Sequence, residues 1–139
     1  MTTSLHSPTT YTQFVFELIT NRASIDHHSL VVFTISPTVA IVRGEIVFRA
    51  GHTLRVFEQI DFLHHRIIKY SYEVEHNGER LWWYDMMPHP DVAELQSTHP
   101  HHKHLPPDIK HHRIPAPGLS FDKPNLNYLV IEIESQIGS

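Results

Sequence analysis

The dipeptide Asn77-Gly78 constrains the fold of this chain more than any other short feature. Before it, residues 66–75 alternate between apolar or aromatic and polar side chains, and after it comes the aromatic run 81–85. A period of two is typical of a half-buried β-strand, and both Asn and Gly tolerate the positive φ of a two-residue hairpin turn. The sequence therefore predicts an antiparallel hairpin. The face of its first strand that we expect in the core carries Ile68, Tyr70, Tyr72 and Val74.

Three more runs with β-strand patterning precede this hairpin, at residues 30–35, 39–49 and 54–62. Short turns between consecutive strands favour an antiparallel meander, so we expect a sheet of four or five strands. Gly44 lies inside the second run and predicts a bulge or bend. Glu58 shares an apolar face of the third run, where a carboxylate needs a polar partner or a place at the edge of a functional site.

One helical pattern precedes the predicted strands in the chain, and another follows them. Ser7-Pro8 is typical of an N-cap followed by proline at the first helical position, and Asn125 is the expected cap of a C-terminal helix, although residues 130–133 would also suit a strand. The apolar positions are Tyr11, Phe14, Val15, Leu18 and Ile19 in the first helix and Leu126, Leu129, Val130, Ile133 and Ile137 in the second. The chain is thus predicted to be a single α+β domain over residues 1–139, with an N-terminal helix, an antiparallel meander, a long His/Pro-rich loop and a C-terminal helix.

Composition narrows the class of protein. The 139 residues suffice for one hydrophobic core, and 40% hydrophobic with 19% charged residues is ordinary for a globular chain. There is no cysteine, which excludes disulfides and thiolate metal sites. We expect no membrane span and no secretory signal, and hence a cytoplasmic protein. The net charge of −4 argues against a nucleic-acid binder that uses its whole surface.

The loop at about residues 86–123 concentrates the chemistry. Seven of the fourteen histidines lie between Pro88 and Arg113, and eight of the ten prolines lie between Pro88 and Pro124. Long loops inside compact domains are usually functional or disordered, and imidazole is both a near-neutral titrating group and the commonest metal ligand. From residue 99 to 113 there are three basic residues and one acidic residue, so this loop is a cationic patch on an acidic body. Either a proton-transfer site or a metal site is therefore expected.

Metal-independent RNA cleavage is the first hypothesis. It needs a base for the ribose 2′-OH, an acid for the leaving 5′-oxygen and a cation at the phosphoryl group, and two histidines with a lysine meet those needs. The predicted catalytic residues are Asp85, His89, His102, Lys103 and His104, with His104 and His89 as the acid–base pair, Lys103 at the phosphate and Asp85 orienting an imidazole. The predicted substrate-binding residues are Trp83 and Tyr84, which offer rings for stacking, and Arg80, Lys110 and Arg113, which offer charge.

A metal site, or a non-catalytic protein-interaction module, is the alternative. His99, His101 and His104 are the candidate ligands, and they suit Zn or Ni, or Mn if carboxylates take part. The first hypothesis requires no cofactor. The histidine pairs 27–28, 64–65 and 111–112 lie near turns and are predicted to be surface residues. Trp82 and Trp83 belong to opposite faces of one strand, so at least one of them is expected in the core.

Several of these residues together carry a family resemblance. The run 81–85 (Leu-Trp-Trp-Tyr-Asp), then Pro88-His89, then the block 100–106 (Pro-His-His-Lys-His-Leu-Pro) and a short C-terminal helix resemble the TumE family of bacterial toxin–antitoxin toxins. The turn at residues 51–54 with Glu58 is also similar. The likeness covers roughly residues 44–137. Two positions depart from the family pattern, Trp83 in place of Arg and Met86 in place of Asn.

The resemblance implies a toxin that acts on RNA, as an endoribonuclease. It also implies a cognate antitoxin, expected to be a helix-turn-helix protein, as the partner. No membrane partner is expected, and self-association into a homo-oligomer is left open.

Overall fold

The computed structural model describes residues 4–86, 101–104, 113–115 and 119–137. A short 3-10 helix (Ser4–His6) precedes helix α1, and helix α2 follows the last strand. The helices are α1 (Pro8–Thr20) and α2 (Leu126–Ile137), and the strands are β1 (Ile25–His28), β2 (Val31–Thr34), β3 (Val39–Phe48), β4 (His52–Asp61), β5 (Arg66–His76), β6 (Glu79–Met86), β7 (His101–His104) and β8 (Arg113–Pro115).

The strands form one antiparallel sheet in which β3 to β8 are neighbours in chain order. At the other side of β3, β1 pairs with one half of the strand and β2 with the other half, so together they make that edge of the sheet. Side chains of both helices belong to the same buried cluster as one face of the strands. The predicted α+β class and meander are confirmed. We refer to the face turned away from the two helices as the open face.

The prediction was wrong about the number and extent of strands. Among the described residues the sheet has eight strands rather than four or five, because the short strands β1, β7 and β8 carry no long alternating pattern. The strands β7 and β8 lie within the stretch predicted to be irregular loop. Backbone hydrogen bonds to the exposed edge of β6 account for β7, and β8 continues the same ladder. Pairing with a preformed edge lets short, weakly patterned segments become strands.

The Asn77-Gly78 hairpin is confirmed. Asn77 has φ of 53° and Gly78 has φ of 83°, and the two residues join His76 to Glu79, which pair directly. Positive φ at both turn positions is the geometry whose twist matches that of the flanking strands.

The expected core face of β5 needs one correction. Tyr70, Tyr72 and Val74 are buried as predicted, but Ile68 is 40% exposed and Ile67 is buried in its place. Opposite β5, Gln59 pairs with Lys69 and the next residue, Ile60, pairs with Ile67. One residue of β5 is therefore bulged, and a bulge reverses the alternation of faces on its far side.

Gly44 permits a close crossing rather than a simple bend. Its φ is +140°, and a Cβ atom at this position would lie 2.4 Å from the carbonyl oxygen of Ser29. Ser29 lies in the link between β1 and β2, and it accepts and donates hydrogen bonds with Glu45. Only glycine allows this link to pass so near the middle of β3.

Both helices form as their patterns predicted. The hydroxyl of Ser7 accepts the backbone N–H of Thr10 at 3.1 Å, and the hydroxyl of Thr10 accepts the N–H of Ser7 at 3.0 Å, which closes a capping box. In α1 the buried residues are Tyr11, Val15 and Ile19, and in α2 they are Leu126, Leu129, Val130 and Ile133. Within the described parts of the chain, neither helix is long and apolar enough to cross a membrane.

Candidate functional site

The register of β6 and β7 brings predicted site residues together. Asp85 pairs with His102, and Trp83 pairs with His104. Residues directly opposite each other in an antiparallel pair share a face of the sheet. Trp83 and Asp85 are only partly buried, whereas their neighbours Trp82 and Tyr84 are buried. Trp83, Asp85, His102 and His104 therefore occupy positions on the open face.

Strand β8 adds a cationic position beside this group. Arg113 pairs with His104, and Pro115 pairs with His102. Trp83, His104 and Arg113 thus occupy one row across three adjacent strands. Positions on neighbouring strands in such a row are about 5 Å apart.

Trp83 is held by contacts on both sides. Its indole Nε1 donates a hydrogen bond to Asp85 Oδ2 at 3.2 Å, and the guanidinium of Arg80 lies 4.7 Å from the centre of its ring. Arg80 Nε in turn donates to Glu73 Oε1 at 3.1 Å. A guanidinium over an aromatic face makes a cation–π contact. The open face therefore presents a flat ring, a carboxylate and a positive charge side by side.

Other predicted site residues lie on the helix side of the sheet. Tyr84 is 1% exposed, and its hydroxyl donates to Glu132 at 2.7 and 2.8 Å. Burial, together with the Glu132 carboxylate, raises the pKa of Tyr84 far above that of an ordinary phenol. Lys103 pairs with Tyr84 and His101 with Met86, so both occupy positions of this same face. The ring of Tyr84 is not exposed for stacking. Lys103 occupies a position on the other face of β7 from His102 and His104.

Trp82 and Trp83 take opposite sides, as predicted. Trp82 is 8% exposed, and its Nε1 donates to Glu132 Oε1 at 3.0 Å. Glu132 on α2 therefore accepts hydrogen bonds from two successive helix-side residues of β6. Helix α2 thereby supports the strand that carries Trp83 and Asp85.

A buried polar cluster lies in the core. The sequence patterns had indicated only one of its members, Glu58, as a buried polar residue. Glu58 is fully buried, and it accepts hydrogen bonds from the hydroxyls of Tyr11 and Tyr72 at 2.5 Å each. Asn125 Nδ2 donates to the Tyr72 hydroxyl at 3.2 Å, and Asn125 Oδ1 accepts the N–H of Ser120 at 2.8 Å. Burial raises the pKa of Glu58 to about 7, against the opposing effect of the two tyrosine hydrogen bonds.

The polar partners expected for Glu58 are thus Tyr11 on α1 and Tyr72 on β5, and Asn125 before α2 bonds to the second of them. The signal for Glu58 was a carboxylate inside an apolar alternation. No sequence pattern distinguished Tyr11 or Asn125 from an ordinary core aromatic residue and a helix cap, and Asn125 immediately precedes α2 as expected.

A comparison with protein-family models decides the family. The model described as Toxin TumE matches residues 15–137, which is nearly the whole chain. The chain belongs to the TumE family. Comparisons with curated proteins and with solved structures gave no match.

The TumE match makes this chain the toxin component of a toxin–antitoxin system, with a cognate antitoxin as its partner. The matched range runs from α1 to the end of α2 and includes every candidate site residue. In the TumE chain described here, Trp83 stands where the family resemblance led us to expect arginine, and Arg80 places a guanidinium over that same ring.

Three of the predicted site residues, His89, His99 and Lys110, lie outside the described residues. His101 and His104, two of the three suggested metal ligands, occupy positions on opposite faces of β7 because they are three positions apart in the strand. Within the described residues, no group of three or more His, Asp or Glu side chains is arranged to hold a metal ion.

Two of the three histidine pairs near turns lie at the surface, as predicted. His27, His28, His64 and His65 are all exposed, whereas the pair at 111–112 lies outside the described residues.

Proposed function

We propose that this TumE-family toxin is an endoribonuclease whose site lies on the open face of the sheet, where β6, β7 and β8 meet. The single observation that carries the proposal is the register that pairs Asp85 with His102 and Trp83 with His104. It gathers a carboxylate, two imidazole-bearing residues and an aromatic residue at adjacent positions of one face. These are the groups that RNA cleavage without a metal uses.

The chemistry assigned to these positions is an internal transesterification. One imidazole takes the proton of the ribose 2′-OH while the 2′-oxygen forms its bond to phosphorus. The bond from phosphorus to the 5′-oxygen breaks, and a protonated imidazole supplies the proton to that oxygen. The products are a 2′,3′-cyclic phosphate and a 5′-hydroxyl. Each imidazole acts best with a pKa near the working pH, which is the ordinary range of histidine.

We assign the acid–base pair to His102 and His104, because the two occupy the same face of β7. To Asp85, which pairs with His102, we assign the role of orienting that imidazole and selecting its tautomer. Because Lys103 occupies a position on the helix side, we assign the phosphate contact to Arg113, which pairs with His104, and to Arg80. His89 remains a further candidate acid or base from the sequence.

Trp83 is assigned to an unpaired base of the RNA. Its ring is held by Arg80 on one side and by its hydrogen bond to Asp85. An immobilised indole loses little conformational freedom when a base stacks on it, which favours binding of single-stranded RNA.

The test is cleavage of RNA by the purified chain in the presence of EDTA, prepared without a metal-affinity column. We expect cleavage without added metal, and a loss on the order of 10²–10⁴-fold in the variant His102→Ala/His104→Ala. The matched control is His27→Ala/His28→Ala, which also removes two imidazoles, both exposed and both on β1, at the opposite edge of the sheet from β6, β7 and β8.

Growth of cells expressing each variant provides the second readout. The control should inhibit growth as the parent chain does, and the site variant should not. Full cleavage and growth inhibition by the site variant would overturn the assignment. Stoichiometric metal in the purified chain, lost together with activity in EDTA, would instead favour the metal alternative.

A further inference from the structure

An open cavity lies at the end of the sheet where β4 turns into β5. Its volume is about 480 Å³, and it is bounded by the turn on one side and by residues 119–122 on the other. The side chains that matter for the argument are His64, His65, Arg66, Ser120, Phe121 and Asp122. None of these was assigned to the site above.

Arg66 supplies positive charge to this cavity. Its guanidinium lies 5.8 Å from the centre of the Phe121 ring. Within the described part of the chain, it forms no ion pair within 4.0 Å, in contrast to Arg55 and Arg80, which are bound to glutamates. An arginine held against an aromatic ring, with its N–H groups not committed to a carboxylate, is suited to a phosphate oxygen.

His65 is presented by a strained turn. Its φ is 55°, in the left-handed region that a non-glycine residue rarely adopts. The ring stacks on His6 at a centroid distance of 5.4 Å, and Nδ1 lies 3.1 Å from the carbonyl oxygen of Leu5. Donation from Nδ1 leaves Nε2 of the neutral ring as a hydrogen-bond acceptor. Strained residues of this kind cluster at sites that bind ligands.

The turn itself is fixed by Asp61. Its Oδ1 accepts the backbone N–H groups of Leu63 and His64 at 3.0 and 3.2 Å, and its Oδ2 lies 2.6 Å from Nδ1 of His64. Among residues 119–122, the Asp122 carboxylate accepts the hydroxyl of Ser120 at 2.5 Å. The cavity is therefore lined by hydrogen-bond donors and acceptors that are held in place, together with the surfaces of aromatic rings.

The cavity lies toward the same end of the sheet as the proposed cleavage site. Ser71 of β5 pairs with Asp85, and Arg66 lies five residues before Ser71 on the same strand, roughly 16 Å away along it. A chain of nucleotides bound at Asp85 can thus continue toward the turn between β4 and β5.

We propose that this cavity binds one nucleotide of a single-stranded RNA, with its phosphate at Arg66 and its ribose hydroxyl at the imidazole of His65. The inference rests on the proposed function, because it extends the path of the same RNA. A bare phosphate would leave most of the volume and the aromatic walls without a role, whereas a nucleotide has an anionic group, a ring and sugar hydroxyl donors. The 2′-OH is the group that distinguishes RNA from DNA at such a position.

The experiment measures binding of a short fluorescein-labelled single-stranded RNA, and of the DNA of the same sequence, by fluorescence anisotropy. The cleavage-deficient His102→Ala/His104→Ala chain is the background. Arg66→Gln is expected to weaken RNA binding roughly tenfold and to lower the slope of log K against log salt by about 0.7. Arg66→Lys should recover part of the loss, since it keeps the charge but not the planar fork.

His65→Phe keeps the stacking surface but removes the acceptor. It should weaken RNA binding and leave DNA binding unchanged. The matched control is Arg43→Gln, which removes an exposed arginine of β3, two strands away from β5. Thermal melting of each variant confirms that it is folded.

Equal effects of Arg66→Gln and Arg43→Gln would overturn the inference, because the charge of the whole protein would then account for binding. So would unchanged RNA affinity and unchanged KM for cleavage in Arg66→Gln, while the parent chain still cleaves RNA. In contrast, binding of RNA that depends on Arg66 in a parent chain that cleaves none would overturn the proposed function and support the cavity.

Discussion

The hydroxyl of Tyr72 lies between Asn125 Nδ2, at 3.2 Å, and Glu58 Oε2, at 2.5 Å, inside the hydrophobic core. It accepts a hydrogen bond from the first and donates one to the second. This pair of contacts joins the segment before α2 to β4 through β5. Tyr11 completes the cluster from α1, so the hydrogen bonds around one buried carboxylate link α1 and the segment before α2 to the sheet.

The stability of the fold should fall as the pH rises toward neutrality. The pKa of Glu58 is about 7 in the folded chain against 4.5 for an exposed glutamate. Between these values the folded chain holds a proton that the unfolded chain has lost, so the free energy of unfolding decreases with increasing pH by about 3 kcal/mol. Urea denaturation at about pH 5 and about pH 8 measures the change.

Glu58→Gln is the matched variant for this prediction, since it is isosteric and carries no titrating proton. Taking the difference between the parent chain and Glu58→Gln removes the contributions of histidines that titrate in the same range. A pH dependence that is identical in the two proteins would contradict the assignment to Glu58.

Removing the Tyr72 hydroxyl should cost more than removing that of Tyr11. Tyr72→Phe leaves a carboxylate oxygen and the Asn125 amide without their partner, and we expect a loss of roughly 2–3 kcal/mol in the free energy of unfolding. Tyr11→Phe deprives only Glu58, and roughly 1–2 kcal/mol is expected. Chemical denaturation of both variants gives the comparison, and a larger loss for Tyr11→Phe would refute it.

Gly44 should be far less replaceable than Gly78, although both have positive φ. A Cβ atom at Gly44 would meet the Ser29 backbone at 2.4 Å, whereas nothing lies within 4 Å of one at Gly78. We expect Gly44→Ala to lower the free energy of unfolding by roughly 2–4 kcal/mol, and Gly78→Ala by roughly 1 kcal/mol, from its left-handed backbone alone. Equal melting temperatures for the two variants would argue against the close crossing.

The proposed stacking role of Trp83 can be separated from its hydrogen bond. Trp83→Phe keeps an aromatic face but loses the N–H that donates to Asp85, and Trp83→Ala loses both. In the cleavage-deficient background, we expect Trp83→Ala to weaken binding of single-stranded RNA roughly tenfold. Trp83→Phe should retain most of the affinity. If the two variants bind equally well, stacking is not the role of this residue.

Local sequence patterns predicted the structural elements that form from interactions between residues close together in the chain. The hairpin at Asn77-Gly78, the capping box at Ser7 and the apolar face of α2 each depend on a few neighbouring residues, and each is present in the structure. The burial of Glu58 was likewise visible, because a carboxylate stood among apolar positions. Its partners were not, because they lie 47 and 14 residues away in the chain.

In the candidate site as well, the sequence predicted the residue types but not their arrangement. The sequence identified Trp83, Asp85, His102 and His104 by residue type, but it treated the histidine block as one group. The pairing of β7 with β6 divides that block between two faces, with His102 and His104 on one and His101 and Lys103 on the other. No composition or spacing argument could make that division, since it depends on whether the segment is a strand and on its register.

Turn chemistry, capping and periodicity act over a few residues, so sequence patterns were enough to predict the α+β class, the central meander, the two helices and the residue types of the candidate site. The tertiary structure alone decided which of those residues share a face, where the bulge at Ile68 reverses the burial pattern, and which hydroxyls reach Glu58. Register and long-range packing set these features, and they depend on contacts between segments that are distant in the chain.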